Sequence, residues 1–185
     1  MGKVHSGCLM FKYDNMFCIP LLQLECENWQ VKKQQLKSLA TSLKLEDTTY
    51  TDYYTMLSEG GHNKNIPNIF KTELIKFKEF FNLNSMAITS SWFERSMKNH
   101  HHPVHNHGPI GYSTVCYVDY SEEDHTPVTF LSPFDNFTTG ENMYYRPSEV
   151  REGTILFFPS VINHFTLPNT SEKERLIFSF NLKIN

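Results

Sequence analysis

Apolar and polar positions fall into two regimes along the chain. From Trp29 to Leu45 the run WQVKKQQLKSLATSLKL places Leu36, Leu39, Ala40 and Leu43 at helical spacing, with lysines and glutamines opposite, which predicts an amphipathic helix. A second helix, over about Ile69 to Phe81, repeats the logic with Leu74, Phe77, Phe80 and Phe81. The stretch between them, about Glu46 to Pro67, is rich in Thr, Tyr, Gly and Asn and reads as a loop. Upstream, residues 7–25 alternate in polarity and predict one or two strands. After Asn84 the period changes. The runs MAITSSWFE, GYSTVCYVDY, VTFL, GTILFFP and RLIFSFNL are short, rich in β-branched and aromatic residues and separated by turns, the signature of strands. Helices followed by a series of strands predict an α+β fold in which the helices buttress an antiparallel sandwich or barrel.

A length of 185 residues suits one domain. With no repeat, low-complexity tract or linker, residues 1–185 read as a single unit: about 1–84 as mainly helical support and about 85–185 as the β core. The net charge of −3, with no long basic run, argues against binding nucleic acid through bulk electrostatics. No segment approaches the ~20 apolar residues that span a bilayer, and the N-terminus lacks an export pattern. Gly2 with Ser6 fits a myristoylation motif too loosely to weigh. The four cysteines show no CxxC spacing, so reduced thiols in the cytoplasm are expected and zinc fingers are not.

Of nine histidines, six lie between positions 100 and 125. His105 and His107 are two apart, so in extended backbone both imidazoles point to one side and can share a metal ion. A third ligand must come from elsewhere, and His164, set among Phe157, Phe158, Val161, Ile162 and Phe165, is the best candidate. An imidazole there costs free energy unless it is bonded. Alone it would read as a core histidine resting on a backbone carbonyl; beside an HxH pair, ligation is the stronger reading. Arg175 opens RLIFSFNL eleven residues later. It is either a strand-end arginine paired with Glu172 or Glu174, or a guanidinium placed to grip a carboxylate with two parallel hydrogen bonds. The run His100-His101-His102 reads as a solvated polar loop.

The set HNH, EGTILFFPSVINH and Arg175 resembles the Fe(II)- and 2-oxoglutarate-dependent oxygenases of the prolyl-hydroxylase-like branch. The nearer likeness is to short oxygenases of marine bacteria and phages, and it spans roughly Ser91 to Asn181. Besides the metal motif it includes Trp92, Ser113 to Val118, Gly153 to His164 and Arg175 to Asn181. The resemblance implies a double-stranded β-helix core of jelly-roll or cupin-like type. It implies Fe(II) on His105, His107 and His164, 2-oxoglutarate as cosubstrate with O2, and Arg175, Tyr117 and Ser113 as its binding residues. Tyr117 reads equally well as a core aromatic whose hydroxyl is capped by backbone. The implied activity is hydroxylation of an amino-acid or peptidyl side chain, with release of succinate and CO2. One departure stands out: the family has Asp or Glu where this chain has His107. Three alternatives follow. His107 ligates; it sits behind the metal with water in its place; or Asp119 or Asp124 supplies the third ligand. Halogenating relatives leave that position open for chloride, and histidine fills it, so halogenation is not expected.

Two rival classes share these features. Cupin dioxygenases or isomerases also carry HxH, and Gly153, Pro159 and His164 fit their second motif, but they expect a glutamate where Gly111 and Tyr112 stand. A non-catalytic β-sandwich binding protein would need none of the metal chemistry. The segments 46–67 and 132–147 are expected to border a pocket for a small-molecule or peptidyl substrate.

Overall fold

Each of the apolar runs after Asn84 forms an antiparallel strand in the computed structural model, which describes residues 17–40, 51–53 and 61–185. The strands are β1 (Leu22–Glu25), β2 (Met86–Ser96), β3 (His102–His105), β4 (Tyr112–Asp119), β5 (Thr129–Asp135), β6 (Asn142–Tyr145), β7 (Thr154–Pro159), β8 (His164–Thr166) and β9 (Arg175–Ile184). They make a five-stranded sheet in the order β1-β7-β4-β9-β2 and a four-stranded sheet in the order β3-β8-β5-β6. The helices whose full extent lies among the described residues are α1 (Trp29–Ala40), α2 (Ile66–Ile69) and α3 (Lys71–Phe80). This is a double-stranded β-helix supported by helices, as the resemblance implied.

The central strands of the larger sheet are buried on both faces, and alternation assigns each face a task. Outward, Tyr112, Cys116, Phe157, Phe178 and Phe180 pack beneath Leu36, Phe70, Leu74 and Phe77 of the helical segment. Phe77 stacks on Phe157 at 4.7 Å. Inward, Val115, Tyr117, Leu156, Phe158 and Ile177 meet Val128, Phe130 and Ile162, most of them from the smaller sheet's side. Beside Trp92 and Ile177, the inward face of β2 and β9 also carries polar side chains, and Glu94, Ser96, Arg175 and Ser179 are all buried. A fold that spends buried positions on such groups needs a use for them.

The helices depart from expectation in three ways. The second is two pieces, because Phe70 leaves helical geometry (φ −106°, ψ 25°) to bury its ring. Phe80 is exposed: at 3.6 residues per turn, positions 74, 77 and 81 share a face and 80 turns away. Lys32, expected on the solvent side of α1, is buried and pairs with buried Glu73 at 2.6 Å. Leu43, the remainder of the first predicted helix and residues 7–16 of the predicted N-terminal strands lie outside the described residues. Within 132–147, expected to border a pocket, Asn142–Tyr145 forms edge strand β6. No helix among the described residues is long and apolar enough to cross a membrane, and Cys18, Cys26 and Cys116 are free thiols.

The packing of α3 gives a stability contrast. Phe77→Ala should cost about 3–5 kcal/mol in urea denaturation, and exposed Phe80→Ala less than about 1 kcal/mol. Equal costs would contradict this assignment of the helix face.

Candidate metal and cosubstrate site

His105 ends β3 and His164 opens β8, and the antiparallel register sets them directly opposite. His107 follows β3, its backbone N–H donating to Ser160 O at 2.9 Å. The three rings converge: centroids lie 4.3 Å apart for 105–164, 5.0 Å for 105–107 and 5.1 Å for 107–164. One potential ligand nitrogen from each lies within 4.8 Å of the others.

Two of the rings are also oriented. His105 Nδ1 lies 2.9 Å from Pro103 O, and His164 Nδ1 lies 2.9 Å from Ile162 O. A carbonyl only accepts, so each Nδ1 carries the proton and each Nε2 keeps its lone pair for a metal. The carbonyl contact that would have made His164 an ordinary core histidine is thus what aims it. Burial, with the neighbouring imidazoles, lowers the pKa of His105 and drives those of His107 and His164 down to about 3. The set is neutral at physiological pH and ready to ligate. A neutral imidazole trio on one side of a cavity fits Fe(II), for which imidazole is a good ligand.

Behind the trio the cavity runs between the sheets past Trp92, Glu94, Tyr117 and Arg175. Arg175 is buried, and its guanidinium donates through Nη1 to Thr126 O and through Nη2 to Ser96 Oγ, both at 3.0 Å. Its suggested surface partners are taken elsewhere, Glu174 by Arg95 and Glu172 by Lys98. Tyr117 also lines the cavity; its hydroxyl accepts from Val128 N–H at 3.1 Å. That leaves its own proton to donate, and burial pushes its pKa up, so it stays a neutral phenol. Ser113 is different. Its hydroxyl is engaged by Ser160 (2.9 Å) and Asn181 (2.7 Å) and does not face the cavity.

The geometry bears on the alternatives. Asp119 lies on Lys33 and Lys37 at 2.9 and 3.0 Å, and Asp124 on Lys173 at 2.5 Å, so neither carboxylate stands with the histidines. The cupin glutamate has no place here. Gly111 has φ +92°, and a Cβ on it would lie 2.3 Å from Leu182 O, while Tyr112 packs against Phe77 and Phe81 beneath the helices.

His102 corrects the reading of 100–102 as a solvated loop: it is half-buried in β3 and lines the cavity. Its Nδ1 lies 2.6 Å from Glu94 Oε2, and its ring stacks on His105 at 3.9 Å. Neither Glu94 nor His102 was singled out from the sequence. Parity with Trp92 along β2 would have found Glu94. Parity misleads at His102, because a register irregularity between His102 and His105 lets residues three apart face one cavity.

A family model described as "Putative 2OG-Fe(II) oxygenase" matches residues 90–181, about half of the chain. No curated protein matches in sequence. Among solved structures, the viral collagen prolyl hydroxylase of Paramecium bursaria Chlorella virus-1, solved with 2-oxoglutarate, is similar at TM-score 0.56 and 16% identity, covering 88% of this chain and 94% of that one. HygX of Streptomyces hygroscopicus, solved with nickel and 2-oxoglutarate, is similar at TM-score 0.61 and 14% identity, covering 88% and 82%. AviO1 of Streptomyces viridochromogenes is similar at TM-score 0.63 and 12% identity, covering 88% and 89%.

The depressed histidine pKa values set a pH dependence for the metal-free protein. Above the unfolded value of about 6.5 both folded and unfolded forms are neutral and stability is flat. Below it the unfolded chain takes up protons that the folded site refuses until about pH 3, so stability falls as pH drops. The urea midpoint should be lower at pH 5 than at pH 7.5, with His164→Asn narrowing the gap. An unchanged gap would show that these imidazoles are not held neutral by the fold.

Proposed function

Since the chain belongs to the 2OG-Fe(II) oxygenases, we propose that it hydroxylates an amino-acid or peptidyl side chain, with His105, His107 and His164 as the iron ligands. The observation that carries the ligand assignment is the convergence of three neutral imidazoles, two of them aimed by backbone carbonyls. Bound Fe(II) with 2-oxoglutarate supplies the activation of O2, coupled to oxidative decarboxylation that yields succinate and CO2.

The protein's own residues bind, orient and exclude water. Arg175, its plane fixed by Thr126 O and Ser96 Oγ, presents its remaining donors to the distal carboxylate of the cosubstrate. The Tyr117 hydroxyl donates into the same cavity. We assign Ser113 no contact with the cosubstrate; with Ser160 and Asn181 it ties β4, β7 and β9 together. Phe158 and Phe130 press on the His164 ring at 4.8 and 5.9 Å and keep that flank dry.

Beyond those two rings lies a second cavity of about 530 Å³, bordered by Ile19, Met143, Tyr144, Tyr145 and Ile162. Its lining carries no charged side chain, which suits an uncharged, apolar substrate group. The position of β6 supports the reading of 132–147 as a pocket border. Free thiols at Cys26 and Cys116 support a cytoplasmic setting.

Under anaerobic conditions, Fe(II) followed by 2-oxoglutarate should produce a weak visible absorption band, and in air 2-oxoglutarate should be converted to succinate. Arg175→Ala should raise the Kd for 2-oxoglutarate about 10- to 100-fold, the loss of a charge-assisted pair. No band in the wild-type protein, or unchanged affinity in Arg175→Ala, would overturn the assignment.

A further inference from the structure

The family's metal-binding carboxylate is missing at position 107, yet a buried carboxylate stands in the same cavity. Glu94, inward on β2, has its Oε2 2.6 Å from His102 Nδ1 and its Oε1 3.8 Å from Arg175 Nη2. Burial favours its neutral form, but the hydrogen bond with His102, reinforced by the charge of Arg175, outweighs this and holds the carboxyl below its ordinary range. Glu94 is therefore a buried anion. His102 carries its influence onward, because the His102 ring lies flat on His105 at 3.9 Å.

Charge balance gives this arrangement a purpose. A divalent metal and Arg175 bring three positive charges into the cavity, and a 2-oxoglutarate dianion returns two negative ones. In the family pattern the ligand carboxylate supplies the third. With three imidazoles on the metal the cavity would keep an uncompensated positive charge, which is costly in a low-dielectric interior. Glu94 removes it.

We propose that Glu94 is the carboxylate of this metal site, displaced from the coordination position that His107 fills and acting across His102 as a charge-balancing and positioning residue. It is not a ligand; it sets the electrostatic environment in which His105 binds metal and Arg175 binds carboxylate. The proposal rests on the three-histidine reading of the site, but its test needs no cosubstrate and no turnover.

The test is the Kd for Co(II) alone, read from its visible absorption bands. Glu94→Gln keeps the shape and removes the charge, and should weaken Co(II) about 10- to 100-fold, the range for groups that support metal ligands. Glu94→Gln/His107→Asp returns a carboxylate to the site and should bind Co(II) within about threefold of wild type, a recovery that a purely structural role for Glu94 could not give. Wild-type affinity in Glu94→Gln, or no recovery in the double variant, overturns the proposal. If Glu94→Gln does not fold alone, adding it to His107→Asp should cost less than about threefold in Co(II) affinity; a loss of about tenfold or more overturns it. Failure of the cosubstrate reading would appear separately, as wild-type protein that binds Co(II) normally but shows no response to 2-oxoglutarate.

Discussion

The pairing of β3 with β8 is the constraint on which the site depends. Register sets His105 across from His164, and each ring rests its Nδ1 on a carbonyl two residues upstream. Without that pairing neither imidazole would have a defined direction, and the HxH spacing would be only a local pattern. The short strands suffice because the larger sheet behind them is packed on both faces. Phe158, for example, belongs to β7 yet presses directly on the His164 ring.

The same two-faced sheet explains how a fold of this size supports a polar interior. Phe157, Phe178 and Phe180 bury their rings against the helical segment, worth roughly 1.5–3 kcal/mol each. That burial offsets the cost of placing Glu94, Arg175 and the histidines between the sheets. The polar residues in turn satisfy one another: Arg175 with Thr126 and Ser96, Glu94 with His102. The cavity is thus pre-ordered before any ligand arrives.

Much of this was legible in the sequence. The five apolar runs after Asn84 became strands because a strand buried on both faces writes itself as a continuous hydrophobic stretch. His164 stood out because a polar residue embedded in such a stretch needs a reason, His105 through its spacing from His107, and Arg175 through its place at the head of RLIFSFNL eleven residues after His164. What stayed hidden was set by irregularity. β6 is an exposed edge strand, and its NMYY sequence carries no burial signal. His102 reaches the cavity only through the break in register next to His105. The split of the second helix follows from the demand to bury Phe70, a tertiary effect that overrides local periodicity. Lys32 reached the core because Glu73, forty-one residues away, was there to receive it, and no local window contains that information.

His107 is where the chain departs from its family, and the geometry turns the departure into a definite claim: three imidazoles and no protein carboxylate on the metal. An anaerobic crystal structure of the protein loaded with Fe(II) and 2-oxoglutarate tests this most directly. The account predicts one metal ion bound by His105, His107 and His164, with the distal carboxylate of 2-oxoglutarate on Arg175. A metal held by His105 and His164 while His107 stands aside, or a carboxylate side chain in the third position, would contradict it.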